Sequence, residues 1–106
     1  MDDSQESLRE KGVNLNRMGD VWSQLGKTTK ALQSYEMALE ISKKLARDDP
    51  DNSNVQRDLW VSYGKIGDVQ QQLGNTQGAL QSYEMALEIS KKLARDDPDN
   101  SNAQRD

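Results

Sequence analysis

Cysteine and histidine are both absent from the 106-residue chain. Without cysteine there are no disulfides and no thiolate chemistry, and without histidine the commonest general base and transition-metal ligand is gone. Proline occurs only twice, and hydrophobic residues are 33% of the sequence against 30% charged, so the chain can bury only a thin, elongated core. No apolar run approaches the roughly 20 residues needed to span a bilayer. Met1-Asp2-Asp3 lacks the basic and apolar regions of a signal peptide, and the expectation is a cytoplasmic chain without membrane contact. Lys and Arg number 14 against 18 Asp and Glu, a formal charge of −4. Nucleic-acid binding needs clustered basic residues that release counterions, so no nucleic-acid partner is expected.

The same shortages weigh against catalysis. A nucleophile would have to be activated by Lys, Asp or Glu, and there is no Gly-rich phosphate loop and no carboxylate pair outside the helix caps. Asp48, Asp49 and Asp51 form an acidic cluster, but they lack the Gly and the closing Glu of a calcium-binding loop. Carboxylates just before a helix N-terminus already have a structural reason, the helix dipole. The expectation is a non-enzymatic chain with no metal and no cofactor.

What the chain does contain is itself, twice. LQSYEMALEISKKLARDDPDNSN runs from Leu32 to Asn54 and again from Leu80 to Asn102, and Ala31 with Ala79 extends the identity by one position at the same offset of 48. Self-similarity at a fixed period marks a stacked-repeat architecture, in which each unit buries its apolar face against its neighbours. Residues 7–30 and 55–78 agree at only nine positions, so the difference between the units is concentrated in their first halves.

Apolar spacing places four helices at about 5–25, 28–48, 53–73 and 76–96. In the first, Leu15, Met18, Trp22 and Leu25 share one stripe, and Gly12 costs about 1 kcal/mol against Ala, enough to fray the first turns. In the second, Ala31, Tyr35, Ala38 and Leu45 form one stripe and Leu32, Leu39 and Ala46 an adjacent one, so this helix has two packing partners. Glu40 and Lys44 stand at the spacing of a supporting ion pair on its solvent side. The third carries Val55, Leu59, Tyr63, Ile66, Gln70 and Leu73 on one face, and the fourth repeats the second. Gly26 and Gly74 stop helices, Pro50 breaks the chain, and Thr28 and the box Ser53-x-x-Gln56 are the expected caps. Pro98 and Ser101-x-x-Gln104 read as the start of a fifth helix.

The small and aromatic residues carry a family resemblance. The first unit reads Leu15-x2-Met18-Gly19-x2-Trp22, Gly26, Ala31-x3-Tyr35, Ala38 and Pro50. The second reads Tyr63-x2-Ile66-Gly67-x2-Gln70, Gly74, Ala79-x3-Tyr83, Ala86 and Pro98. This resembles the tetratricopeptide repeat, with Gln70 departing where an aromatic is usual. The period is 48 rather than the usual 34. The excess divides into two added turns per helix, and two turns rotate an apolar face by only about 20°. The chain is similar to the long-helix variants, including those of kinesin light chains.

The resemblance implies an all-α fold, a right-handed superhelical stack of antiparallel helix pairs. It would be a TPR-like α-solenoid of two repeats, with four helices of about 20 residues and so about 30 Å each. Repeat 1 would occupy 1–52, repeat 2 would occupy 53–100, and 101–106 would open a third. The piece then looks cut from a longer array or completed by self-association. The resemblance further implies a protein-interaction scaffold whose first helices line a concave groove for a peptide or partner protein. Opposite the core stripe lie Val13, Asn16, Arg17, Asp20 and Gln24 on the first helix, and Val61, Lys65, Asp68, Gln71 and Gln72 on the third. Trp60 stands at the edge of this surface, either as a ligand anchor or packed on the preceding unit. Asn16, Arg17 and Lys65 resemble the set that clamps a chaperone's terminal carboxylate, but Asp20 and Asp68 would repel an acidic tail, so the ligand is expected to be neutral or basic there. The alternative is a self-assembly module. Leu80, Leu87 and Ala94 on the fourth helix form a face that could receive another unit, end to end or by exchange of helices into a homo-oligomer.

Overall fold

In a computed structural model, residues 3–96 are described. Pro98, Ser101 and Gln104, and with them the expected start of a fifth helix, lie outside the described residues. The described residues form four helices: α1 Asp3–Gln24, α2 Thr28–Asp48, α3 Ser53–Gln72 and α4 Thr76–Asp96. Each is 20 to 22 residues long, about 30 Å at 1.5 Å per residue. No helix among the described residues is long and apolar enough to cross a membrane.

The two helix hairpins turn on glycines at positive φ, +75° at Gly26 and +82° at Gly74. At the first, the Lys27 N–H donates to the Trp22 carbonyl at 2.8 Å and the Gly26 N–H to that of Ser23 at 3.0 Å. The second repeats this with Asn75 to Gln70 at 2.8 Å and Gly74 to Gln71 at 3.0 Å. These bonds satisfy the last carbonyls of α1 and α3, and the left-handed residue that makes them possible carries no Cβ penalty when it is Gly.

The helix starts differ in detail from the sequence expectation. Thr28 is the first helical residue rather than the cap; Lys27 holds the cap position without a side-chain hydrogen bond. At α3 the cap is Asn52, one residue before the expected Ser53, and its Oδ1 accepts from the backbone N–H of Asn54 and Val55 at 3.0 and 3.3 Å. Gln56 reaches past the cap instead of closing a box, donating to the Pro50 carbonyl at 3.0 Å. Asn has an acceptor at the length this position needs. At α4, Asn75 Oδ1 accepts from the Gly78 N–H at 2.9 Å, a bond that Lys27 in the first unit cannot make.

Successive helices pack on one another, α1 on α2, α2 on α3 and α3 on α4. The molecule measures 37 × 34 × 20 Å, and its least dimension is that of two helices side by side. One apolar cluster joins the layers, with Ala31, Tyr35 and Leu39 of α2, Tyr63, Ile66 and Val69 of α3, and Ala86, Ile89 and Leu93 of α4, flanked by Trp22, Leu32 and Leu59. Within each hairpin a tyrosine ring covers a glycine. A Cβ on Gly19 would stand 2.4 Å from the Tyr35 ring, and one on Gly67 would stand 2.6 Å from that of Tyr83. Gly12 is also a close-packing position inside α1, where a Cβ would meet Ile41 at 3.2 Å.

Two further details differ from the sequence expectation. Glu40 pairs with Lys43 at 3.7 Å, one residue before the expected Lys44, and Glu88 repeats this with Lys91. On α1 only Leu15 of the four stripe residues is buried, Trp22 is half-buried, and Met18 and Leu25 are exposed. The reason lies in the stack. Met18 is the counterpart of Ile66, which packs in the cluster that includes α2, and among the described residues no helix covers Met18 in the same way.

Candidate functional site

The first helix of each hairpin, α1 and α3, run side by side, and three side-chain bridges join them along their length. Near the start, Arg9 Nε donates to Asp58 Oδ2 at 2.6 Å and Nη2 to Oδ1 at 3.2 Å, the forked geometry that suits guanidinium and carboxylate. In the middle, Asn16 Nδ2 donates to Ser62 Oγ at 3.4 Å. Further on, Lys65 Nζ donates to Asp20 Oδ1 at 2.7 Å, and the Tyr35 hydroxyl donates to the same oxygen at 2.5 Å. Lys65 also lies 5.5 Å from the centre of the Tyr35 ring. Three helices therefore meet at Asp20.

This network sorts the expected groove residues into two groups. Asn16, Asp20 and Lys65 are half-buried and hold α1 to α3. Arg17, Gln24, Val61, Asp68, Gln71 and Gln72 lie on the outer side and are exposed, Val13 is half-buried at the margin, and Trp60 is 39% exposed. Asp68, Gln71 and Gln72 line a shallow polar depression with Thr76. Arg17 and Val13 share another with Arg9, Glu10 and Asn14. The charge of Asp20 is already answered by Lys65, so of the two aspartates expected to choose the ligand, Asp68 is the one left open to solvent.

Electrostatics follow the same division. Burial pushes the Asp20 carboxyl up, but the hydrogen bonds from Lys65 and Tyr35 and the Lys65 charge outweigh it and hold the group below its ordinary value. Asp20 thus adds stability above pH about 4, and the contribution is lost as pH falls through its lower folded value. Both pair members are about a third or more exposed, which limits the pair to at most about 1 kcal/mol. Burial, and then Asp20 itself, raises the Tyr35 hydroxyl. Tyr83 donates to Asp68 and also reaches Gln71 at 3.4 Å, and the Asp68 bond is the leading cause that pushes its hydroxyl up to about 12. This favours the folded state below the ordinary phenol value of about 10 and is lost as pH rises through about 12. Titrating the tyrosine ring resonances by NMR checks this: Tyr83 should ionise near pH 12, and Asp68→Asn should bring it back toward 10.

The tyrosine links were missed from the sequence, although a signal was present. Asp20 and Tyr35 are 15 residues apart, as are Asp68 and Tyr83, and this spacing puts an acceptor near the end of one helix beside a hydroxyl on the next. The Arg9–Asp58 pair was missed because each residue reads alone as a solvated helix charge. Gln70, where the family pattern has an aromatic, accepts a hydrogen bond from Ser82 at 2.6 Å, while Trp22 in the same place in α1 lies 4.7 Å from Lys30 Nζ.

Comparison with protein families fits this geometry. Two tetratricopeptide-repeat family models match, one over residues 15–51 and one over residues 61–93, each spanning a hairpin and together more than half of the chain. The chain belongs to the tetratricopeptide-repeat family. The match over 15–51 is of the kinesin-light-chain-like type, in keeping with the long helices. No curated protein matches the chain. Tetratricopeptide repeats in general mediate protein–protein interaction as non-catalytic scaffolds. Among the described residues, no group of three or more His, Cys, Asp or Glu could hold a metal ion.

Proposed function

We propose that this tetratricopeptide-repeat chain is a non-catalytic scaffold that binds an extended peptide or a partner protein across the surface formed by α1 and α3. The observation that supports this reading is the three-bridge junction. Arg9–Asp58, Asn16–Ser62 and Asp20–Lys65 fix the two first helices beside each other, so the exposed side chains between them are held before any ligand arrives. A surface already ordered loses less entropy on binding. Val61 and Trp60 provide apolar area at one end, 41% and 39% exposed, and Asp68, Gln71 and Gln72 provide acceptors at the other.

The exposed carboxylate of Asp68 favours a ligand that is neutral or basic where it meets α3. An acidic peptide would have to approach Asp68 with only Arg17 on the opposite part of α1 to attract it. Selection from a random peptide library, repeated with Asp68→Lys, tests the assignment. The native surface should enrich Lys or Arg at one ligand position, and the variant should replace that preference with Asp or Glu. Identical selection by both proteins would count against the surface.

A further inference from the structure

The junction between the two hairpins has a counterpart that the folded chain does not use, lacking only the Asn16–Ser62 bridge, whose equivalents are Gly64 and Asn14, and the apolar start of α3. Two ion pairs and one apolar contact carry most of the junction: Arg9 with Asp58, Asp20 with Lys65, and Leu32 and Leu39 of α2 in the cluster to which α3 contributes Ile66 and Val69. Moving each residue by one repeat period finds its equivalent at the two ends of the molecule. Arg9, Asp20, Leu32 and Leu39 become Arg57, Asp68, Leu80 and Leu87 at the α3–α4 end. Asp58, Lys65, Ile66 and Val69 become Glu10, Arg17, Met18 and Val21 on α1. Every charge keeps its sign and every apolar residue stays apolar.

All eight of these equivalents are exposed. Leu80 and Leu87 are 57% and 53% exposed, whereas Leu39 is buried, and Met18 and Val21 are 51% and 53% exposed against 4% and 2% for Ile66 and Val69. Met18, Val21, Trp22 and Leu25, with Asn14 and Arg17, line an apolar depression on the outer side of α1. We infer that the outer face of α1 docks on the outer face of α4 of a second copy of this chain, continuing the stack from one molecule to the next. Arg17 of the second copy would then meet Asp68, and Glu10 of the second copy would meet Arg57, in the register that Lys65–Asp20 and Asp58–Arg9 hold within the chain.

The contact joins two different surfaces, so it is heterologous and open-ended. Each docked molecule leaves one α1 face and one α4 face for the next. It is weaker than the internal junction, because Ser7 and Lys11 stand where α3 has Val55 and Leu59. The apolar contact is confined to the second half of α1, and the two ion pairs set the register. Because they lie at exposed positions, association falls as salt is added.

Sedimentation equilibrium of the full 106-residue chain across the micromolar to millimolar range tests the inference, with circular dichroism confirming that each variant is folded. The native chain should gain mass continuously with concentration and pass beyond a dimer. Met18→Asp and Leu87→Asp should each remain monomeric alone, and an equimolar mixture should form a one-to-one dimer and nothing larger, since each partner keeps one intact face. Arg17→Glu should weaken association by about tenfold or more, and Arg17→Glu combined with Asp68→Arg should recover it. A native chain that stays monomeric at millimolar concentration would overturn the inference. So would self-association that persists in Met18→Asp, because a symmetric contact of α4 with α4 needs no α1 face.

Discussion

Tyr35→Ala should cost about 3–5 kcal/mol of stability, whereas the same change at Tyr83 should cost no more than about 2 kcal/mol. The two tyrosines sit in identical sequence, the stretch from Ala31 to Asn54 recurring without change from Ala79 to Asn102, so intrinsic helix propensity cancels in the comparison. Both rings cover a glycine of the preceding helix, and both hydroxyls donate to an aspartate 15 residues before them. What differs is the third helix. Tyr35 is 4% exposed, in a cluster that includes α3, with Lys65 over its ring and bonded to the same carboxylate, while Tyr83 is only half-buried. Removing Tyr35 opens a cavity where three helices meet and leaves Asp20 with one partner. Removing Tyr83 opens a gap that water can enter. Urea unfolding of the two variants checks this through their midpoints at constant slope. On a chain of this size each kcal/mol moves the melting temperature by about 4–8 °C, so the gap between them should be plain in a thermal scan as well.

The sequence told most about the features that repeat and least about those that depend on a neighbour. The helices and their glycine stops were legible because Gly26 and Gly74 follow unbroken apolar patterns of helical period. The small residues at Gly19 and Gly67 announced close approach, and the tyrosine rings supply it. Met18 has the spacing of a core residue yet is 51% exposed, for a physical reason. Burial needs a helix on the far side, and periodicity reports only which face a residue shares. The candidate surface was legible in outline and not in detail. Asp20, Lys65, Asp68 and Arg17 all fell on the expected face, yet only the fold separates the first two, which pair with each other, from the last two, which face solvent. The caps went wrong by one residue because Asn52 and Ser53 are adjacent residues that both serve well as caps, and side-chain reach decides between them.

The second large effect is at the seam between the hairpins. Ile66 is 4% exposed within the cluster shared by α2, α3 and α4, and its counterpart Met18 is 51% exposed on α1. Ile66→Asp removes a buried aliphatic side chain and puts an unpaired carboxylate in its place. The combined loss is at least about 4 kcal/mol, a large share of the roughly 5–15 kcal/mol that holds a typical domain together. Met18→Asp places the same carboxylate in water and should change stability by less than about 1 kcal/mol, mostly through helix propensity. The proposed binding surface, the ion pairs between α1 and α3 and the proposed docking of a second copy all rest on one idea, that packing recurs with the repeat and that a residue is buried only where the next layer exists. Urea unfolding of these two variants, side by side at low protein concentration, measures it directly. The account predicts near-native stability for Met18→Asp and a largely unfolded Ile66→Asp; equal losses at the two positions would contradict it.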